Sequence, residues 1–417
     1  NQVFTIVSSS EHNLKVRIFD SKGRTCPMLT LLTKPGTYIG RIQTSVSGVF
    51  FAQIQAGEPD ASWAVCFVNG STSGNVISCS RESVPLRMAE TILPGIDTLE
   101  CTKNGFLRKR VKIDFSKDSI MTLYMYPETR QITSAAYPVI DGSTSTQPVG
   151  IVLASMVLGA TYGYTDNVDG SKKMIAFSTA NPLLADSINS QIVKHNSTHD
   201  AYVNVIRGSA QLGLIARAPS EDEIRLADSL NVTIEAIPFA LDAFVFLVNR
   251  NNPVENITLD NIRKIYSGSV TDWTTLGGND QKIKPYQRER NSGSQEMMVS
   301  LVMKDLPLID SPDMVVYGMM GPFNILNTDV AGIGYTVFFY GKNMAPVQYV
   351  RYLSIDGVAA TTENIHNHIY PLWAHVYLVN RTDMDPGSNA AYLRELILAP
   401  QGQEMIARCG YVPVFNQ

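Results

Sequence analysis

The hydrophobic period of this chain changes once, near residue 130, and the two sides demand different architectures. LKVRIFD (14–20) alternates apolar and polar residues and ends on the turn SKG (21–23). GVFFAQIQA (48–56), SWAVCFV (62–68), RKRVKIDF (108–115) and IMTLYMY (120–126) continue as strand-like runs bounded by Gly, Asn, Ser or Pro. Alternation sends one face to a core and the other to water, which is the pattern of strands. No helical period of useful length appears there. The spacing predicts an all-β, sandwich-like module over residues 1–128. The polar, proline-bearing PETRQITSAA predicts a linker at 129–136.

Beyond it, YPVI (137–140) reads as a buried strand and DGSTSTQP as a hydroxyl-rich turn. VGIVLASMVLG reads as a helix with Pro148 in its first turn and Gly159 as its stop. The strands AFVFLVN (243–249), GIGYT (332–336) and HVYLVN (375–380) alternate with helical runs at 259–267, 295–304 and 392–408. Alternating strands and helices predict an α/β fold with helices on both faces of its sheets.

At 417 residues two or three domains are expected. A net charge of −4 offers no basic excess for nucleic-acid phosphates, so nucleic acid is excluded as a partner. The apolar runs fall short of the ~20 residues that span a bilayer. The first residue is Asn1, which fits a processed, exported chain. Cys26, Cys66, Cys79 and Cys101 all lie in the β-rich segment and predict two disulfides formed outside the cytoplasm, with three pairings open. No CxxC occurs, so no zinc site is expected. Cys409, before Gly410, reads as a small buried residue.

Three turns share one chemistry. The first holds Thr144, Ser145 and Thr146; the second, Ser197 and Thr198; the third, Arg288 followed by Ser292, Gly293 and Ser294. Each precedes a helical run. Helix starts leave backbone N–H groups free, and hydroxyls and a guanidinium add donors, so each turn suits an anion. No GxxxxGK[ST] or correctly placed GxGxxG occurs, which argues against nucleotide and dinucleotide cofactors. His195 and His199 flank Ser197 and Thr198, but residues that close in sequence rarely form a triad, and no GxSxG elbow is present. No catalysis and no cofactor are expected. His366 and His368 read as an exposed loop pair rather than a metal site.

Over residues 135–417 the chain resembles the periplasmic substrate-binding protein of phosphate ABC transporters, a type 2 periplasmic-binding-protein fold. IDGSTSTQP (140–148), DAFVFLVNRNNPVENITLDNIRKIYSGSVTDWTTLGG (242–278), YQRERNSGSQ (286–295), AGIGYT (331–336), IDGVAATTENIHNHIYPLW (355–373) and PQGQEMIARCGYVPV (400–414) carry the resemblance. It implies one lobe over 137–241 plus 370–417, a second over 242–369, and a cleft closing on the ligand. It implies donors from Thr144, Ser145, Thr146, Ser197 and Thr198, and a clamp of Arg288, Ser292, Gly293 and Ser294. Trp273 is implied to pack rather than to stack on ligand. Arg217 stands where the family carries an acid that accepts the proton of hydrogen phosphate. An arginine there implies attraction for any oxyanion and loss of the discrimination against sulfate, unless Asp200 or Asp242 substitutes for the acid.

These readings combine into extracytoplasmic binding of inorganic phosphate or a related oxyanion, for uptake or sensing, with an ABC permease or a cell-surface protein as partner. The alternative is a structural or adhesive protein that reuses the fold and self-associates through its β module.

Overall fold

The computed structural model describes the backbone of nine strands between Gln2 and Leu123, and, with side chains, Leu107 and residues 126–414. The chain divides into two compact units, Asn1–Arg130 and Gln131–Gln417.

In the first unit the strands form two sheets. One places Gln2–Ser8, Gly36–Gln43, Ile96–Lys103 and Lys109–Asp114 side by side, all antiparallel. The other orders Ser62–Asn69, Gly48–Ala56, His12–Asp20, Thr25–Thr33 and Ile120–Leu123, antiparallel except at the last pair. The expected sandwich packing and the disulfides of Cys26, Cys66, Cys79 and Cys101 rest on side chains outside the described residues.

The second unit is mixed α/β. Its main sheet orders Ile140–Gly142, Leu212–Ile215, Trp373–Arg381, Ile234–Asn249, Gly332–Val337 and Lys284–Pro285. The outermost pairs are parallel and the inner ones antiparallel. The 16-residue strand Ile234–Asn249 is shared by both halves. Residues 234–243 pair with Trp373–Arg381. From Phe244 onward the strand turns to Gly332–Val337, with Val350–Tyr352 on its other side. Pro238 has no N–H to give the ladder, and the register shifts between it and Ala240. From Phe239 to Asn249 every residue is buried, which explains why AFVFLVN reads as an unbroken apolar run rather than an alternating one.

Each half has its own core. Helix Thr198–Ile206 packs Ala201, Tyr202, Val205 and Ile206 against Ile215, Ala227 and Val379. In the other half Phe244, Phe246, Tyr266 and Tyr335 meet at ring separations of 5.2 to 6.0 Å in tilted and edge-on geometry, arrangements that suit the ring quadrupoles. Trp273 is fully buried and donates from Nε1 to the Ala331 carbonyl at 2.8 Å.

Helix Gln147–Leu158 has Pro at its start and ends at Gly159, whose φ of 78° lies in the left-handed region. Its residues 147–155 are all buried. Two expected helical runs are interrupted. The 392–408 run is two helices, Asn389–Leu398 and Pro400–Cys409. Pro400 disfavours helical geometry at Ala399, which is extended at ψ 161°. The 295–304 run is a short α-helix, Gly293–Met297, that widens into a π-turn over Met298–Met303. Cys409 is buried and free, its thiol pushed up to about 12 by burial. No helix among the described residues is long and apolar enough to cross a membrane.

Replacing Trp273 by Ala should cost about 3–5 kcal/mol of stability. The measurement is the urea midpoint of Trp273→Ala against the parent, with an unchanged slope.

Candidate functional site

The first turn leaves strand Ile140–Gly142 and enters helix Gln147–Leu158 through the 3-10 turn Thr144–Thr146. Gly142 is required there. A Cβ would stand 2.5 Å from the Leu214 carbonyl oxygen and 2.7 Å from Thr146 Oγ1. Asp141 is buried beneath the turn and accepts from Gly142 N at 2.8 Å, Asn196 N at 3.0 Å, Asn196 Nδ2 at 2.9 Å and Asn204 Nδ2 at 2.7 Å. One carboxylate thus ties the first turn to the second. Ser143 Oγ accepts from Ala216 N at 3.0 Å and lies 2.8 Å from Thr198 Oγ1, a second tie.

The second turn caps helix Thr198–Ile206. Ser197 Oγ accepts from Asp200 N, and Ser197 itself sits at φ 100°. That is a costly position for a residue with a side chain, and its neighbours must hold it.

The third turn carries Arg288. Its backbone N donates to Gln295 Oε1 and to Tyr335 OH, both at 3.0 Å. Its guanidinium is buried; Nε and Nη2 each reach the Glu289 carboxylate at 2.9 Å. Burial pushes the Glu289 carboxyl up, but hydrogen bonds and charge from Arg288 outweigh it and leave the group below its ordinary range. Nη1 is not engaged by Glu289 and lies 3.6 Å from Met319 Sδ. Ser292 caps the following turn by accepting from Gln295 N at 3.2 Å. A Cβ on Gly293 would collide with Thr198 Oγ1, so glycine lets the second and third turns touch.

The three turns open on one cavity of about 350 Å³. Of the residues expected from sequence, Thr144, Ser145, Ser197, Thr198, Arg288, Ser292, Gly293 and Ser294 line it. Thr146 does not. Its hydroxyl is turned back to the Ser143 and Leu214 carbonyls at 2.9 and 2.5 Å, bracing the turn. Arg217 does not line it either. It is buried and forms a two-pronged pair with Glu223, 2.7 Å at each prong. Glu223 has no exposed surface, and a carboxylate so placed requires a countercharge. Arg217 is therefore turned to Glu223, away from both the cavity lining and water. Burial raises the Glu223 carboxyl and the Arg217 hydrogen bonds and charge lower it, with a net lowering.

Ser143, His199, Asp200, Glu289, Arg290 and Asn291 also line the cavity. Ser220-x-x-Glu223 is the spacing of a capping box, and Ser220 N does donate to Glu223 at 2.6 Å. That spacing was the available signal that Glu223 is drawn beneath this site. Ser143 belongs to the hydroxyl-rich turn DGSTSTQP, while Glu289 adjoins Arg288 and had no signal of its own. Asp242 is away from the cavity. One oxygen accepts from Ala243 N and Phe339 N at 2.8 and 2.9 Å; the other is buried without a hydrogen-bond partner. Exposed His368 stacks on Trp373 at 3.9 Å, and no cluster of three metal-ligating side chains occurs among the described residues.

Residues 136–397 match the family model described as a PBP superfamily domain. This chain belongs to that family. The chain is 27% identical to the phosphate-binding protein PstS of Bacillus subtilis (strain 168) over 168 residues, 40% of this chain and 53% of that protein. It is 25% identical to PstS of Borreliella burgdorferi over 183 residues, 42% of this chain and 64% of that protein. The chain thus spans between half and two thirds of the length of these relatives. A Clostridium perfringens protein named as a phosphate ABC transporter substrate-binding protein, solved with bound phosphate, shares the fold. The TM-score is 0.50 and the identity 23%, over 67% of this chain and 99% of that one.

Burial pushes the Asp242 carboxyl up from 3.8 to about 7, against the pull of its two backbone donors. An acid raised on folding favours the folded state while protonated. That contribution is complete below the unfolded value and is lost as pH rises through the folded one. Stability should therefore decline between about pH 4 and pH 7 through this group. Urea titrations across that range should show the decline in the parent and a flatter profile in Asp242→Asn.

Proposed function

We propose that this chain reversibly binds inorganic phosphate, or a closely related tetrahedral oxyanion, in the cavity between the three turns, without chemistry. The observation that carries this reading is the meeting of three turns, rich in hydroxyls and backbone N–H groups, around the buried Arg288 guanidinium. A tetrahedral dianion wants many short donors from several directions, and a buried cation offsets its charge. Relatives named as phosphate-binding proteins support the choice of anion.

In this reading residues 137–241 and 370–417 form one lobe and 242–369 the other. They close over the anion about the shared strand Ile234–Asn249. The protein works outside the cytoplasm, for uptake or sensing, and hands its ligand to an ABC permease or signals to a surface partner. A second reading, a structural or adhesive protein that self-associates through residues 1–128, draws on the strands that precede the family match.

Calorimetry with phosphate should show saturable binding, and phosphate should raise the melting temperature. Arg288→Ala should weaken binding by at least about 100-fold, because a desolvated anion loses its main countercharge. Parent-like affinity in that variant, or no heat with the parent, would sink the assignment. A mass that rises with concentration would favour the second reading.

A further inference from the structure

His199 lies at the start of helix Thr198–Ile206; the residue lines the cavity, and its ring reaches a buried charge network. Its Nδ1 is 3.0 Å from Glu223 Oε1. The same oxygen accepts from Arg217 Nη2 at 2.7 Å, while Oε2 accepts from Arg217 Nη1 at 2.7 Å and Ser220 N at 2.6 Å. Glu223 is thereby held as a carboxylate with every acceptor direction occupied, so the group facing it must be a donor. That places a proton on Nδ1. In the neutral ring Nε2 is then a bare acceptor. Nε2 has no hydrogen-bond partner among the described residues, and the side chain is 28% exposed on a residue that lines the cavity.

We propose that His199 sets the anion specificity of this cleft, its Nε2 accepting the O–H proton of a singly protonated tetrahedral oxyanion such as hydrogen phosphate and so favouring it over sulfate. The inference rests on the anion-binding reading above. Sulfate has no proton to give, and its oxygen would meet the Nε2 lone pair. The two carboxylates at the cavity are poorer acceptors. Glu289 is occupied by Arg288 and also faces Gly318 N. Asp200 is exposed and exchanges hydrogen bonds with Ser197. A carboxylate would also set a negative charge against the dianion, whereas a neutral imidazole accepts without one.

The test compares phosphate and sulfate by calorimetry on the full chain, above the second ionisation of phosphate. The parent should bind phosphate well ahead of sulfate. His199→Asn keeps an amide where Nδ1 meets Glu223 and deletes Nε2. Its phosphate affinity should fall about 10- to 100-fold while sulfate affinity holds or rises. His199→Gln places an amide near the Nε2 position and should retain part of the preference. The inference is overturned if the parent binds sulfate as well as phosphate, if His199→Asn weakens both anions equally, or if Asp200→Asn alone abolishes the preference. A parent that binds neither anion overturns the binding reading itself. Thermal melts of each variant separate loss of fold from loss of specificity.

Discussion

A carboxylate taken out of water must be met by donors, and around this cavity the donors that meet it are parts of the site. Asp141 is satisfied by N–H groups of Gly142, Asn196 and Asn204, so the first and second turns are bound to one point. Glu223 is satisfied by Arg217, Ser220 and His199, which anchors the His199 ring through Nδ1. Glu289 takes two of the three guanidinium nitrogens of Arg288 and leaves Nη1 to the Met319 sulfur alone. Three buried or half-buried anions thus set the positions from which donors present themselves. The cost of leaving any of them unmatched explains why these loops hold their shape.

Beneath this polar layer the placement of the turns follows from the sheet. The first and second turns belong with the half in which Ile234–Asn249 pairs with Trp373–Arg381; the third belongs with the half in which it pairs with Gly332–Val337. A crevice at a point where a sheet changes partners is a recurrent place for ligands in α/β proteins. Gly293 lets the third turn press against Thr198 from across that crevice.

Much of this was legible in the sequence because it rests on local rules. Pro148 and Gly159 bracket a helix by their own backbone preferences. The hydroxyl-rich turns announce helix starts, and Trp273 is a packing residue as expected. What was not legible depends on partners distant in space or on a conflict between local rules. Arg217 looked like a ligand contact, but its direction is decided by Glu223, a buried acid needing a cation. The run at 392–408 has helical period throughout, yet Pro400 breaks it. Asp141 gave no sign of its role, since its partners at 196 and 204 come near only in the folded chain.

The shared strand has a mechanical consequence. Neither half of the sheet can be melted without stripping Ile234–Asn249 of one set of its ladder bonds. The residues from Phe239 to Asn249 are buried under both halves. Through this strand the two halves are coupled in unfolding. The amide hydrogens of this strand should therefore fall in the slowest-exchanging class, released only when the whole domain opens.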